Sequence, residues 1–464
     1  MKKILILGAG QSSPYLISYL LDNALKYNWF VTVGDLNMAL AKKRVNNHSR
    51  GSAIKFDIND EKLRSTQIRK ADVVINMLAH HFQYLVAIDC IHYGTHMISA
   101  SYQDHKTKEL ENDANRKDVL ILSEMGLDPG IDHMSAMALT KKIKKQGGVV
   151  TSFLSYGSGL PAPEVADQNP FRYLLTWNAR NVVRAGEDGA QYLEDGKIRI
   201  LPFHQIFQRT WPVEVDGLGT FEAYPNRDSL IYPHLFGLKK LRTMIRGTLR
   251  YPGWSETWQQ IVKLGFPNES LNIPSVRNFT YREFTEMFLP LNLSGLNLEQ
   301  RVANFLGISP TGSIMENLKW LGLFSDKKIE AKARTPVDVI VHLLTEKLKF
   351  PKGARDMVIL KHEIEAYYPK ENNRREKICS TFVDYGESNG FTAMSKAVGL
   401  PAAIAAKLLL NDELPITGCQ IPTNSTIYTR VLKKLEEADL KFKETVTRLK
   451  GKEKNQINTQ ISHR

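Results

Sequence analysis

The feature that most constrains this chain is a repeating alternation in its first 124 residues. Apolar runs of strand length, "KKILILG", "FVTVGD", "SAIKFD", "ADVVINML", "HMISAS" and "DVLILSE", are separated by helix-like segments such as "SPYLISYLLDNAL" and "FQYLVAIDCIHYG". Continuous apolar strands must be covered on both faces, and helices alternating with them supply both covers. The expected fold class is therefore α/β, with a doubly wound parallel sheet at the N-terminal end. From about residue 148 the texture changes to a Gly-, Pro-, Trp- and Tyr-rich region that reads as a mixed sheet up to Tyr251. Residues 254–348 read as helical, and strands return in "GARDMVILKHEIEAYY" and "EKICSTFVDYGE". Two closing helices are expected in "TAMSKAVGLPAAIAAKLLLND" and "YTRVLKKLEEADLKFKETVTRLK", before a polar, disordered tail at 451–464.

Composition narrows the function classes. The formal charge is +13, but the basic residues are dispersed among acids and form no basic-aromatic cluster, so nucleic acid is not the expected partner. An anionic small molecule accounts for the excess equally well. The longest apolar runs quoted above are far shorter than the roughly 20 residues of a membrane span, and Met1-Lys2-Lys3 leads directly into a strand. Neither a membrane span nor a signal peptide is expected. Three cysteines without metal-ligand spacing suit free thiols in a reducing compartment, so the expected location is cytoplasmic. No metal site is expected.

"LGAGQSSP" places Gly8 and Gly10 between a strand and a helix, the context in which such glycines cradle a dinucleotide. Gly8 permits the turn, and Gly10 lets a pyrophosphate approach the backbone at the helix N-terminus. Ser13 replaces the third glycine of the pattern; Gln11 and Ser12 complete the turn, and Leu78 follows the fourth strand. Asp35 closes the second strand, where a carboxylate accepts hydrogen bonds from an adenosine ribose and repels an added phosphate, which favours NAD. Lys42, Lys43 and Arg44 follow and leave NADP possible, although a solvated helix face is the simpler reading of that run.

Dinucleotide binding alone does not specify a reaction. Four further motifs occur in order: "GLDPGIDHM" at 126–134, "GLPAPE" at 159–164, "YPNRDS" at 224–229 and "RGTLRY" at 246–251. Together with "DQNPFRYLLTWNAR" and "MSKAVGLPAAIAAKLLL", they resemble the saccharopine reductase family, the L-glutamate-forming saccharopine dehydrogenases, over nearly the whole chain. The resemblance implies a Rossmann-type dinucleotide domain over 1–125, completed by helices within 391–450. It also implies a mixed α/β substrate and dimerisation domain over 126–253 and 349–390, a helical insertion at 254–348, and a homodimer. The implied reaction is an NAD(P)-linked conversion between saccharopine and glutamate plus 2-aminoadipate 6-semialdehyde, through an imine.

That substrate carries three carboxylates around a secondary amine, so its site needs fixed cations and an acid near the nitrogen. Arg227 is the natural bidentate clamp for a carboxylate and Arg246 the second candidate; either can instead be a structural ion-pair arginine, given neighbours such as Asp228. The resemblance adds Gly247 and Thr248, and places Ser101 and Tyr102 beside substrate at the end of the fifth strand. Asp128 matches the family's substrate-contacting aspartate on a turn stiffened by Pro129. With Tyr102 it is the nearest candidate for proton transfer; Gly157 stands where many members carry cysteine, so that thiol is missing here and bound water is the alternative. His80 and His81 lie near the expected nicotinamide edge but read as packing or surface residues. Asp132 and His133 fall in the first turn of the next helix, where the helix dipole suffices to explain an acid. Two other readings remain open: a carboxynorspermidine-type dehydrogenase, which needs fewer clamps, and a noncatalytic dinucleotide-binding regulator.

Overall fold

Residues 4–7 are buried on both sides of the first strand, as a sheet between two helical layers requires. The computed structural model describes residues 1–185, 187, 189–330 and 332–449. The tail expected at 451–464 lies outside the described residues. Residues 1–148 form β1 (Lys2–Leu7), α1 (Pro14–Ala24), β2 (Trp29–Asp35), α2 (Met38–Val45), β3 (Gly51–Lys55), α3 (Glu61–Ile68) and β4 (Val73–Asn76). They continue with α4 (Gln83–Tyr93), β5 (His96–Ser99), α5 (His105–Glu109), α6 (Glu111–Arg116), β6 (Leu120–Leu122) and α7 (Ile131–Lys145).

The middle of the chain holds β7 (Val149–Pro161), α8 (Pro163–Ala166), α9 (Ala179–Val183), β8 (Ala190–Glu194), β9 (Lys197–Leu201), β10 (Trp211–Val215) and β11 (Gly219–Pro225). Then come β12 (Arg227–Asp228), α10 (Tyr232–Leu235), β13 (Thr243–Arg250), α11 (Trp254–Lys263), α12 (Tyr281–Glu286), α13 (Leu298–Leu306), α14 (Ser313–Leu321) and α15 (Pro336–Lys347). The chain closes with β14 (Asp356–Tyr368), β15 (Arg374–Tyr385), α16 (Ala393–Leu410), β16 (Gly418–Gln420), α17 (Ser425–Glu437) and β17 (Lys443–Leu449).

Two units result. Unit 1 comprises Met1–Gly148, Asp356–Val358 and Phe382–Lys443. Its sheet runs β16-β6-β5-β4-β1-β2-β3, with every neighbouring pair parallel. All six apolar runs of the N-terminal pattern are strands in it. Because β1 lies between β4 and β2, the topological switch point falls at the exit of β1, where an open parallel sheet presents its ligand crevice. Unit 2 comprises Val149–Arg355, Ile359–Thr381 and the residues from Glu444. It is built on a mixed sheet of order β10-β11-β13-β7-β14-β15-β17, with β8 joining β13, β12 and β9. Within it β13 runs parallel to β7 and antiparallel to β11.

The chain departs from the sequence reading at its end. The second closing helix stops at Glu437, and Lys443–Leu449 is a strand. Asp439 adopts a left-handed φ of 63°, which ends helical continuation, and Thr445, Val446 and Thr447 are β-branched residues that fit a pleated strand better than a helix. The three-residue β16, too short to carry a periodic signal, also escaped that reading.

Among the described residues α16 alone is long and apolar enough to cross a membrane, yet most of its surface is buried in the protein. It packs against α1, β4 and β5. Gly399 sets its approach to α1: a Cβ there would stand 2.9 Å from the Leu16 Cβ and 3.0 Å from the Leu16 backbone nitrogen. Gly399→Val is therefore expected to overpack this contact and lower stability by about 1–3 kcal/mol, read as a reduced midpoint in denaturant unfolding.

Candidate active site

The turn after β1 is shaped by contacts that only small residues allow. Gly8 has a φ of 103°, and a Cβ on it would approach the Met77 carbonyl oxygen to 3.0 Å. A Cβ on Gly10 would meet nothing within 4 Å, so this part of the turn faces open space, as close approach of a pyrophosphate requires. Ser13, where the third glycine is missing, is buried and donates its hydroxyl to the Gly10 carbonyl at 3.0 Å. Pro14 then opens α1. Gln11 is exposed and Ser12 half-buried in the same turn.

Asp35 has a structural task as well as a position. Its Oδ2 accepts from the Ala9 N–H at 2.8 Å and its Oδ1 from the Asn37 N–H at 2.7 Å, tying the end of β2 to the glycine turn. Arg44 donates its Nε to the Ala9 carbonyl at 3.3 Å. The sequence reading left Lys42, Lys43 and Arg44 as a solvated face; Lys42 and Lys43 are exposed, but Arg44 is half-buried against the turn, and burial lowers its pKa. Beyond β4, Leu78 donates its N–H to the buried Asn76 side chain at 3.1 Å. His80 and His81 are exposed in the short turn that leads to α4.

Two further strand exits lie along the same edge. Ser101 and Tyr102 follow β5, and the Tyr102 hydroxyl donates to Asp128 Oδ1 at 3.0 Å. Sequence reasoning named both residues; the structure joins them. Asp128 sits in a reversal closed by Gly126 N–H to the Pro129 carbonyl and Ile131 N–H to the Gly126 carbonyl, with a cis peptide between Asp128 and Pro129. Gly130 is obligatory there, because its φ is 146° and a Cβ would fall 2.0 Å from the Gly126 oxygen.

Gln83, which the sequence reading passed over, braces the Tyr102 loop from the first residue of α4. Its fully buried amide donates to the Tyr102 carbonyl and the Ser123 hydroxyl, both at 3.0 Å, and accepts from the Ser99 hydroxyl at 2.9 Å. On the other side of the loop, Glu124 Oε1 accepts from the Gln103 N–H at 3.1 Å. His133, which the sequence reading left with Asp132 in the first turn of α7, lies between two acids, Asp132 and Glu124. Asp132 Oδ1 accepts from the Gly130 N–H at 2.7 Å, which is the helix-start role expected of it. Its Oδ2 also lies 3.3 Å from His133 Nε2, while Glu124 Oε2 lies 3.0 Å from His133 Nδ1. The signal available in the sequence was the spacing of Glu124 from Asp132 and His133 across one tight turn.

In unit 2, the remaining residues cluster on β12 and β13. Arg227 is exposed on β12 with a left-handed φ of 52°, an unfavourable conformation for an arginine that its neighbours hold in place. Asp228 directs Oδ1 to the Leu230 N–H at 2.7 Å. Arg246 is buried: it donates to the Tyr232 hydroxyl at 2.7 Å, and its guanidinium lies 4.7 Å from that ring centroid. The two arginines are linked through the Asn226 N–H, which donates to the Arg246 carbonyl at 2.8 Å. Gly247 lets strands close up, since a Cβ would stand 3.0 Å from the Tyr156 ring. Thr248 pairs in register with Tyr224 and Gly157.

Strand periodicity puts Arg250 on the same face as Arg246 and Thr248, a relation the sequence reading did not use. Arg250 is buried and donates to the Ser158 hydroxyl and the Leu249 carbonyl, both at 2.9 Å. Its guanidinium lies 5.0 Å from Tyr173, 5.5 Å from Trp254 and 5.7 Å from Tyr224, measured to the ring centroids.

A parallel sheet with a glycine turn at its switch point, in one chain with a mixed-sheet unit bearing buried arginines, is the fold of a dinucleotide-dependent oxidoreductase. Residues 4–122 match the saccharopine dehydrogenase NADP binding domain, and residues 126–440 match the saccharopine dehydrogenase C-terminal domain. The chain belongs to the saccharopine dehydrogenase family. It is 31% identical over 453 residues to the saccharopine dehydrogenase [NADP(+), L-glutamate-forming] of Schizosaccharomyces pombe, covering 96% of this chain and 99% of that protein. It is 32% identical to bovine mitochondrial alpha-aminoadipic semialdehyde synthase, over 95% of this chain and 47% of that longer protein. Among solved structures it resembles apo saccharopine dehydrogenase (L-Glu forming) from Saccharomyces cerevisiae. The TM-score is 0.84 at 30% identity, covering 96% of this chain and 100% of the other.

The Asp35 geometry separates two effects. If its main action were repulsion of a ribose phosphate, Asp35→Ala would tighten NADP⁺ binding. Because the carboxylate holds Ala9 and Asn37, the substitution is instead expected to weaken NAD⁺ and NADP⁺ binding alike, by about tenfold, in calorimetric titration.

Proposed function

We propose that this protein is an NADP-linked, L-glutamate-forming saccharopine dehydrogenase of lysine metabolism. Saccharopine, NADP⁺ and water give L-glutamate, 2-aminoadipate 6-semialdehyde, NADPH and a proton. Family membership over nearly the whole chain supports the reaction. The observation that carries the site assignment is the Tyr102–Asp128 hydrogen bond at the carboxyl edge of the parallel sheet. When bound, the dinucleotide would supply the hydride acceptor for the carbon beside the substrate's secondary amine.

The protein's share of the chemistry is charge and position. Asp128, fixed on its closed turn, holds the substrate amine and favours the cationic iminium. Water then adds to that iminium and the carbinolamine collapses, with the Tyr102 hydroxyl and the Asp128 carboxylate as the proton-transfer pair. Within unit 2 Arg227 is the proposed clamp for a substrate carboxylate, with Arg246, Gly247 and Thr248 as further proposed substrate residues; within unit 1 Ser101 is a proposed substrate contact. The turn Gly8–Ser13 and Leu78 hold the dinucleotide.

For the cofactor, each Asp35 oxygen already accepts a backbone N–H, and the Arg44 cation stands at the same turn. That arrangement, together with the NADP(+) in the names of the fungal relatives, supports NADP, while the Asp35 charge favours NAD as the competing reading. The proposed working form is a homodimer in the cytoplasm. Free Cys90, Cys379 and Cys419 support a reducing compartment.

Saccharopine-dependent reduction of NADP⁺ with release of glutamate is the expected result of a spectrophotometric assay. Absence of turnover with both NADP⁺ and NAD⁺ would overturn the reading, and a clear NAD⁺ preference would overturn its cofactor part. In the same assay Arg227→Ala is expected to raise KM for saccharopine at least about tenfold, or ~1.4 kcal/mol, with a smaller change in kcat. An unchanged KM would remove the clamp assignment.

A further inference from the structure

We infer that His133, as a buried imidazolium, is a positioning residue that locks the Tyr102 loop to the Asp128 turn. The inference rests on the assignment of Tyr102 and Asp128 to substrate made above. Both ring nitrogens of His133 face carboxylate oxygens, Glu124 at 3.0 Å and Asp132 at 3.3 Å, and the three side chains are 2–9% exposed. A neutral imidazole has one N–H and one lone pair, so it would turn that lone pair against one of the two carboxylates. The doubly protonated ring instead turns an N–H and a positive charge toward both, and a cation between them offsets two negative charges removed from water.

What the ring holds apart and together is specific. Glu124 pins the Gln103 N–H, next to Tyr102, and its own N–H donates to the Ser101 carbonyl at 3.0 Å. Asp132 pins the Gly130 N–H, in the reversal that carries Asp128. The two segments meet again where the Tyr102 hydroxyl reaches Asp128. His133 therefore closes a ring of contacts: histidine to Glu124, to the Tyr102 loop, to Asp128, to the Gly130 turn, to Asp132 and back. The dinucleotide turn belongs to a different strand exit, after β1.

The test uses the full chain. Nitrogen NMR of histidine-labelled wild type at neutral pH is expected to show one imidazole with both nitrogens protonated, assigned to His133 by its loss in His133→Gln. A neutral tautomer for that residue would overturn the inference, and this readout needs no turnover. In kinetics, His133→Gln is expected to lower kcat for saccharopine about tenfold while dinucleotide affinity changes less than about twofold. Repeated in a Tyr102→Phe background, the same substitution is expected to lower kcat only about twofold, because coupled positions are non-additive. Equal losses in the two backgrounds, or an unchanged kcat in a folded variant, would overturn the positioning role. Glu124→Gln serves as the second variant, with the same expected loss and the same reduced loss in the Tyr102→Phe background. If wild type fails to oxidise saccharopine, the functional reading falls while the NMR result still decides the state of His133.

Discussion

Asp35, Glu124, Asp132 and Asp356 each turn a carboxylate onto backbone N–H groups at points where strand or helix hydrogen bonding begins or ends. A parallel sheet leaves such groups along its carboxyl edge, and burial there makes an unsatisfied N–H expensive. A carboxylate is the acceptor that can satisfy two of them at once, and its bonds are the stronger charge-assisted kind. Asp356 shows the arrangement at a helix start: fully buried, it receives the N–H groups of Ala393 and Met394 at 2.6 and 2.9 Å and so anchors α16 in unit 1. Burial pushes its carboxyl above the usual range, against the pull of those two donors. The glycine turn, the Tyr102 loop and the Asp128 reversal all inherit their shapes from the same interaction.

This explains why the site is built on strand exits rather than on long loops. A tight reversal closed by its own backbone bonds, such as Gly126–Gly130, leaves little freedom to its central side chain. Asp128 is therefore presented by the fold and not by a flexible arm. The left-handed φ of 64° at Glu124 fits the same logic, since the chain must turn sharply for its carboxylate to reach both Gln103 and His133.

Much of this was readable beforehand because it depends on local pattern. Buried parallel strands write themselves as apolar runs, and the glycine turn after β1 is a fixed composition in a fixed context. Asp128, Tyr102 and Arg227 were named as candidates because they sit in short motifs. What escaped was set by tertiary partners. Gln83 looks like any polar residue opening a helix until its three partners, on β5, in the following loop and just after β6, are in place. Arg44 lies in a run of three basic residues, and only packing turns it inward while Lys42 and Lys43 face solvent. The Glu124–His133–Asp132 contact was visible as a composition but not as a geometry, because a helix dipole gives one of its acids a sufficient local explanation. The closing strand Lys443–Leu449 was misread for a related reason: charged residues in a helix-like spacing concealed three consecutive β-branched residues.

Net charge is a poor guide to how such a protein attracts an anion, and β13 shows why. Arg209 lies 2.6 Å from Glu194 on β8, so its charge is locally cancelled. Arg250 is held differently: its hydrogen bonds go to a hydroxyl and a carbonyl, and three aromatic rings surround its guanidinium. Glu222, its partner in register on β11, directs its carboxylate to the N–H groups of Gly253 and Ser255 instead. Aromatic faces and neutral acceptors stabilise a buried cation without neutralising it. The field of Arg250 therefore persists beyond its own contacts, on the face of β13 that also carries Arg246 and Thr248. In a low-dielectric setting one such uncancelled charge weighs more on an approaching carboxylate than many solvated lysines, whose interactions fade within a Debye length of about 8 Å. The dispersed excess of +13 and the uncancelled charge buried on β13 are thus separate properties, and only the second has a fixed direction in the fold.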